Sequence, residues 1–580
     1  MKKFHNWRIN AVLIFVLILW AAVIGRLFYL QILNHKIYQS QALGQQTLFT
    51  NTIGSRGQIF LGNSQSAQGR ENSDEIKSLA INKDQWSISA NPKEIEDKII
   101  FAEKLSKDIE MSKEEIISLF EASNSSSYVV IKKGLNKEQL KKIQELKLKG
   151  LSWQNQPIRY YPQGQMASQI GGFLGGEGAG QYGLEGFYEE ILKGKIGVQE
   201  NKKGLGSIFS SADEISLDGS DIYLTIDYNI QFQAEALLKK TQENLGIDAG
   251  QIIVMKPDTG KILALANYPS FDPNKYSKEK DLEIFQNGAT QKLFEPGSIM
   301  KPFTMAMALN EGKITPDTTF IDTGIVRFGT KAVHNFAMEK YGKQTMTQVL
   351  ENSINTGAVF AEQQISHEVF LNYIDKFGFG KKTGIDLQGE VYSSNSTLRN
   401  NGPDMNFATA AFGQGIEMTP IQIARGFCAI ANGGKIVKPY VVEKIVNGKD
   451  EVYTKPEISE PVVSKQTITQ LTGMLINVVD NGFNKVAKIP GYYLAGKTGT
   501  AQIPLKTGRG YEPDNKTIQS FVGYGPALNP QFLIMVKLDN PSSGKSSLSA
   551  VPVFKELAQY IINYWQIPPD YDPTKKDIKK

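Results

Sequence analysis

At 580 residues, 41% hydrophobic and 21% charged, the chain is long enough for several domains and a large core. Its net charge of +5 is mild, and no basic stripe with interleaved aromatics points to nucleic acid. A single cysteine, Cys428, excludes an intrachain disulfide, and four scattered histidines (His5, His35, His334, His367) make no recognisable metal site, so no metal or other cofactor is expected.

Lys2, Lys3 and Arg8 precede an uncharged run from Ala11 to Gly25. That run falls short of the ~20 residues of a membrane span, and Ala21-Ala22 leaves a cleaved signal as the alternative. Apolar character resumes at Leu27-Phe28-Tyr29-Leu30, and Arg26 can snorkel to the interface. The expectation is a single-pass anchor over 9–33, with residues 1–8 cytoplasmic and the rest of the chain outside.

Residues 34–219 are polar and mixed. Ser112-Lys113-Glu114-Glu115 reads as a capping box opening a helix through Phe120, and Asn136-Lys137-Glu138-Gln139 opens a second, lysine-rich helix to Lys149-Gly150. Gly171 to Gly183 reads as loop, without the strand that a phosphate cradle needs. This stretch reads as a non-catalytic pedestal.

The texture changes at Asp221. A short strand, Ile222 to Thr225, leads into a helix over Tyr228–Glu243, and the strands Gly250–Lys256 and Lys261–Asn267 flank the turn Pro257-Asp258-Thr259-Gly260. Cys428 falls in an apolar helix, Ile421–Ala431, as a small buried residue. Strands recur at Ser520–Tyr524 and Phe532–Leu538, followed by a helix over Val553–Tyr564. Strands at both ends with helices between predict one α+β domain over 220–566, its antiparallel sheet completed by distant pieces. Residues 567–580 read as a disordered tail.

The chemistry centres on Glu295-Pro296-Gly297-Ser298-Ile299-Met300-Lys301. Ser-x-x-Lys occurs three times, at Ser277, Ser298 and Ser542, but only Ser298 leads an apolar helix that can bury its lysine. A serine becomes nucleophilic when a neighbouring base takes its proton. Lys301 can do so only when neutral, so its pKa must fall from ~10.4 to near 7, at about 4–5 kcal/mol. A helix N-terminus supplies only ~0.3–1 kcal/mol of that, leaving the rest to burial and a second cation. Ser353 and Asn355, after a helix over Met346–Asn352, offer a hydroxyl relay and an amide that can bond Lys301 and a substrate.

Lys-Thr-Gly also occurs three times, at Lys382, Lys497 and Lys506. Only Lys497-Thr498-Gly499-Thr500 continues an apolar strand, Tyr492-Tyr493-Leu494-Ala495. A strand exposing a lysine and hydroxyls there can pair with an extended peptide. Lys497 can bind a carboxylate and act as the second cation. Gly491 to Thr498 also satisfies the P-loop pattern, but the residues inside it read as strand and no helix follows, which argues against a nucleotide.

With Ser298-x-x-Lys301, Ser353-x-Asn355 and Lys497-Thr498-Gly499 in that order, the chain resembles the penicillin-binding proteins. Arg26-Leu-Phe-Tyr-Leu-Gln31, Arg159-Tyr-Tyr-Pro162, Gly183-Leu-Glu-Gly186, Leu224-Thr-Ile-Asp227 and Phe412-Gly-Gln-Gly415 are similar to landmarks of the class B, monofunctional branch, over about residues 10–565. The segments Glu295–Thr304 and Ala495–Gln502 look more like the division type than the elongation type.

The resemblance implies an α+β chain with one membrane helix, an elongated α/β pedestal of dimerisation type, and a serine β-lactamase-like transpeptidase domain. It implies that Ser298 attacks the penultimate D-Ala carbonyl of a peptidoglycan stem peptide, with Lys301 as base, Ser353 as relay and Asn355 as orienter. Lys497, Thr498 and Thr500 would hold the carboxylate beside Gly499, and the N–H groups of Ser298 and Thr500 would form the oxyanion hole. β-Lactams would acylate Ser298 by the same route. A membrane glycan polymerase and division or elongation proteins are the implied partners, because no glycosyltransferase-like domain is evident before residue 220. One signature departs: Arg-Gly-x-Ile-x-Asp-Arg-Asn-Gly is here Arg56-Gly-Gln-Ile-Phe-Leu-Gly-Asn63, which loses charges in the pedestal. A carboxypeptidase or β-lactamase, and a non-catalytic sensor or scaffold, are the rival readings.

Overall fold

The computed structural model describes residues 4–28, 47–62, 76–122, 128–202, 218–400, 402–482, 485–503, 505, 510–512 and 516–573. Parts of several expected features lie outside these residues: 29–33 of the anchor, Asn63 of the pedestal signature, Lys506-Thr507-Gly508 and tail residues 574–580. Two compact units divide the chain.

The first unit comprises 1–56 and 193–219. Its helix α1 (Phe4–Phe28) runs unbroken through Gly25 and Arg26 for 25 residues, roughly 37 Å at the α-helical rise. Side chains are described for only part of α1, the longest run being Val12 to Leu17. On that basis no helix among the described residues is long and apolar enough to cross a membrane. The same unit holds an antiparallel ladder of Thr47–Ile53 with Ile196–Lys202.

The second unit holds 57–192 and 220–580. The expected capping box forms, with Ser112 Oγ accepting from Glu115 N at 3.1 Å while Ser112 N donates to the Glu115 carboxylate; the helix expected to open at Asn136 has one too, Asn136 and Gln139 exchanging the same pair of bonds. The second helix ends at Glu145, short of Lys149. Part of the Gly171–Gly183 stretch forms a small ladder, Phe173–Leu174 with Gly180–Gln181, where loop alone is expected. A six-stranded sheet draws on both halves of the sequence: Asp221–Asp227 pairs in parallel with Ile59–Gly62 and antiparallel with Val442–Asn447.

Five antiparallel strands form the sheet that carries the functional residues: β1 (Ala249–Met255), β2 (Ile262–Tyr268), β3 (Ala495–Gln502), β4 (Thr517–Gly525) and β5 (Phe532–Asp539), in spatial order β2-β1-β5-β4-β3. Alternation along β1 sends Ile252 and Val254 to one face and Ile253 and Met255 to the other. The first face packs on α2 (Tyr228–Leu245) and the helix Ala550–Trp565; the second packs on α3 (Lys301–Asn310) and the helices Pro420–Ala431 and Lys465–Asp480. Burial on both sides is why β1 and β2 read as continuous apolar runs. Cys428 is buried in the helix Pro420–Ala431, as expected.

Two boundaries differ from the sequence reading. The strand β3 begins at Ala495 and not at Tyr492, because the N–H groups of Tyr492 and Tyr493 donate to Ile489 O and Asp570 Oδ2, at 3.1 and 2.8 Å. Residues 567–573, expected in a disordered tail, are held by the same segment: Tyr492 Oη donates to Ile567 O and Asp570 N to Gly491 O.

Beneath the site, Phe303 on α3 meets Phe377, Phe379 and Phe427 edge-on at 5.2, 4.8 and 5.1 Å between centroids, and all four rings are buried. Truncating the central ring leaves a cavity that three rigid neighbours cannot fill. Phe303→Ala should cost about 3–5 kcal/mol of stability, measured as a shift in urea unfolding; a loss below ~1 kcal/mol would show that the cluster is not a rigid support.

Candidate active site

The nucleophile candidate sits on a turn that only glycine allows. Phe294 bridges to Met418, Pro296 follows, and Gly297 takes φ +57° while donating its N–H to Gly413 O at 3.0 Å. A Cβ on Gly297 would lie 2.7 Å from Thr500 O, so a side chain would push the turn off the β3 edge. Residues Gly297–Met300 then make one 3₁₀ turn before α3 begins at Lys301. In that geometry residues three apart eclipse, so Ser298 and Lys301 project together. Ser298 is partly exposed, whereas Lys301 is fully buried.

Ser353 lies between the helix Met346–Glu351 and α4 (Asn355–Glu362), in the left-handed region at φ +54°. For a non-glycine residue that costs about 1–2 kcal/mol. The conformation brings two Ser353 oxygens to one amine: Lys301 Nζ contacts the Ser353 carbonyl and lies 3.2 Å from its Oγ. The same amine lies 2.8 Å from Asn355 Oδ1 and 3.0 Å from Ser298 Oγ. Lys497 on β3 reaches the other side of the relay, 2.9 Å from Ser353 Oγ, and also contacts Thr498 O at 3.2 Å and Thr498 Oγ1 at 3.4 Å.

Ser353 O and Asn355 Oδ1 can only accept, so a neutral Lys301 gives them its two N–H groups and turns its lone pair to the Ser298 hydroxyl. Lys497 faces one carbonyl and two hydroxyls, all able to accept from an ammonium. Burial, and then the positive charge of Lys497, hold Lys301 well below the usual lysine range. Burial alone pulls Lys497 down to about 7.

The structure thus joins Ser298, Lys301, Ser353, Asn355, Lys497 and Thr498 in one hydrogen-bonded chain. Lys497 departs from the sequence reading in one respect: it is fully buried, not exposed on the strand, because its β3 face turns toward Ser353. Gly499 and Thr500 continue along the outer strand of the sheet. A Cβ on Gly499 would lie 2.5 Å from Ser520 Oγ and 2.8 Å from Pro296 O, so glycine lets β3 pass the nucleophile's turn. Thr500 is exposed, its Oγ1 2.9 Å from Ser546 Oγ, and Ser546 in turn bonds Gly499 O.

The decoys have other roles. Thr383 and Gly384 of the first Lys-Thr-Gly donate their N–H groups to buried Glu390, at 2.6 and 3.0 Å. Asn395, in a second Ser-x-Asn triplet (Ser393-Ser394-Asn395), accepts from Glu417 N within a loop. The P-loop pattern ends in β3, not in a helix. Among the described residues no cluster of His, Cys, Asp or Glu can hold a metal ion.

Two contributors escaped the sequence reading. The His334 carbonyl accepts from Asn355 Nδ2 at 2.9 Å, a backbone role with no sequence signal. Glu295 accepts from Gly415 N at 2.9 Å and from Tyr511 Oη at 3.0 Å, tying the Phe412–Gly415 segment to the turn before Ser298. Its position inside the Ser298 motif was the available clue.

Residues 250–559 match the penicillin-binding protein transpeptidase domain, and residues 71–224 the penicillin-binding protein dimerisation domain. The chain is 33% identical over 473 residues to stage V sporulation protein D of Bacillus subtilis, covering 80% of this chain and 72% of that protein. It is 29% identical over 579 residues to a peptidoglycan D,D-transpeptidase FtsI homolog of Mesostigma viride, covering 94% of each. Among solved structures, penicillin-binding protein 3 of Mycobacterium tuberculosis, complexed with aztreonam, aligns with a TM-score of 0.67 at 25% identity over 90% of this chain and 98% of that one. A nucleophile turn, a two-lysine network and an outer strand, in a chain more than half covered by the transpeptidase match, lead to one conclusion: the chain belongs to the penicillin-binding protein transpeptidase family, in the class B branch that pairs this domain with a dimerisation domain.

Proposed function

We propose that this chain is a membrane-anchored peptidoglycan D,D-transpeptidase that works through an acyl-enzyme on Ser298. The observation that carries the reading is the contact of a deprotonation-prone Lys301 with the Ser298 hydroxyl, 3.0 Å apart. Lys301 takes the Ser298 proton as Oγ attacks the penultimate D-Ala carbonyl of a stem peptide. The oxyanion that forms is held by the N–H groups of Ser298 and Thr500, each such donor being worth ~2.7–4 kcal/mol. Ser353 passes a proton to the departing D-Ala amine, and Asn355 orients both Lys301 and the substrate amide. Lys497, Thr498 and Thr500 hold the substrate's terminal carboxylate, while the peptide pairs along β3 beside Gly499. An amine from a second stem then resolves the ester into a cross-link. A β-lactam acylates the same serine.

The remaining assignments follow the same reading. The anchor is residues 9–33, with Lys2, Lys3 and Arg8 keeping residues 1–8 in the cytoplasm. Residues 34–219 form the pedestal and 220–566 the transpeptidase domain, outside the membrane. A membrane-embedded glycan polymerase and division or elongation proteins are the partners, with the division role preferred to elongation.

Incubation with labelled penicillin and intact-mass analysis should give a long-lived adduct that maps to Ser298 and is absent in Ser298→Ala. Rapid release of the label would overturn the transpeptidase reading in favour of a hydrolase. The pH dependence of acylation carries a definite sign. The active form needs Lys301 neutral and Lys497 charged, so the second-order rate should rise as Lys301 loses its proton and fall as Lys497 loses its own, from about 7 upward in the free protein. Lys497→Ala should remove the alkaline limb and slow acylation about 100-fold. A falling limb that survives in Lys497→Ala would refute the assignment.

A further inference from the structure

Asp322 closes the strand Thr319–Asp322 and is only 3% exposed, yet none of the groups that donate to it is a cation. Its Oδ1 accepts from Gly324 N at 2.8 Å and Thr356 Oγ1 at 2.6 Å; its Oδ2 accepts from Asn335 Nδ2 at 2.9 Å and Tyr341 N at 2.8 Å. Four donors fill the capacity of a carboxylate. Burial pushes its pKa up, but these bonds outweigh burial and keep it below the usual carboxylate range. The charge is therefore spent on geometry. Gly324 opens and Tyr341 closes an excursion of chain that contains the hairpin Ile325–Phe328 with Lys331–His334.

That excursion meets the site at Asn355. Asn335 donates through Nδ2 to Asp322 and, at 3.1 Å, to Glu339 O, while its Oδ1 accepts from Thr356 N at 3.1 Å. With both ends of its amide committed, Asn335 cannot be turned over. Its neighbour His334 presents a carbonyl that accepts from Asn355 Nδ2. The pairs His334-Asn335 and Asn355-Thr356 thus clasp each other twice, each lending one side-chain amide to the other's backbone, and Asp322 grips one member of each pair. A reversed Asn355 amide would set its oxygen against the His334 carbonyl and its NH₂ against Lys301.

We infer that Asp322 is a positioning residue for acyl transfer: through Asn335 and Thr356 it fixes which end of the Asn355 amide faces Lys301, and so aims the Lys301 lone pair at Ser298. The inference rests on the acyl-enzyme reading of Ser298. The other titratable groups facing the clasp are Tyr341, kept neutral by burial and its bond to Glu339, then Glu339, Lys340, whose side chain lies beside Gly324, and the side chain of His334, all three exposed; Lys301 and Lys497 lie on the far side of Asn355.

The test follows acylation of the full chain by a fluorescent penicillin in wild type, Asp322→Asn, Asn355→Ala and the double variant. Asp322→Asn turns two of four acceptor positions into donors, and acylation should slow about 10–100-fold. In the Asn355→Ala background the same change should cost nothing further, because its effect passes through Asn355. The rising limb of the pH profile should move to lower pH in Asp322→Asn, since a lost acceptor at Lys301 disfavours the charged amine. Equal slowing in both backgrounds, or a wild-type rate with an unmoved limb, overturns the role. If Asp322→Asn does not melt cooperatively, Thr356→Val should slow acylation and Thr356→Ser restore it; two equal rates reject the proposal. Failure of the wild type to label would instead strike at the acyl-enzyme reading, and at this one with it.

Discussion

Two lysines buried on either side of one serine hydroxyl are the constraint on which the site depends. Ser353 Oγ lies within hydrogen-bond reach of both amines, and a protein interior tolerates such a pair only if at least one of them sheds its proton. Burial penalises both charges. Lys301 is the one that yields, because the charge of Lys497 adds to burial there while burial alone acts on Lys497. That asymmetry, added to the burial they share, suits one lysine to the proposed role of base and the other to that of anion receptor.

Holding that asymmetry takes rigid supports from distant parts of the chain. The 3₁₀ turn is pressed on β3 by the missing side chains of Gly297 and Gly499. The aromatic cluster beneath α3 anchors the helix that carries Lys301. Ser353 is held in a conformation that L-residues avoid, and the strain persists because its carbonyl and hydroxyl are both engaged. Glu295 fastens the turn from its other side.

Much of this was legible because it is local. The capping box at Ser112, the helix start at Asn136, the hairpin turn before β2 and the pairing of Ser298 with Lys301 all rest on spacings of three or four residues, where backbone geometry leaves little choice. Context also separated Lys497-Thr498-Gly499 from its decoys, since only one copy adjoins an apolar strand. What escaped was non-local. That Lys497 is buried depends on Ser353, far away in sequence, closing over it. The late start of β3 depends on Asp570 taking a backbone N–H that a strand would have used. The parallel pairing of Ile59–Gly62 with Asp221–Asp227 joins segments that composition had assigned to different domains, and no residue type advertises that the His334 carbonyl orients an amide.

The order of strands in the catalytic sheet has a consequence for biogenesis. The first strand made, β1, has β2 on one side, but its other neighbour is β5, the last. A nascent chain therefore exposes one whole margin of β1 while several hundred intervening residues are being synthesised, and pairing across that separation is intrinsically slow. The nucleophile helix emerges long before the outer strand that completes its pocket. A polypeptide cut short before β3 would carry a serine with no second amine to activate its base, so competence for chemistry waits on the synthesis of that strand.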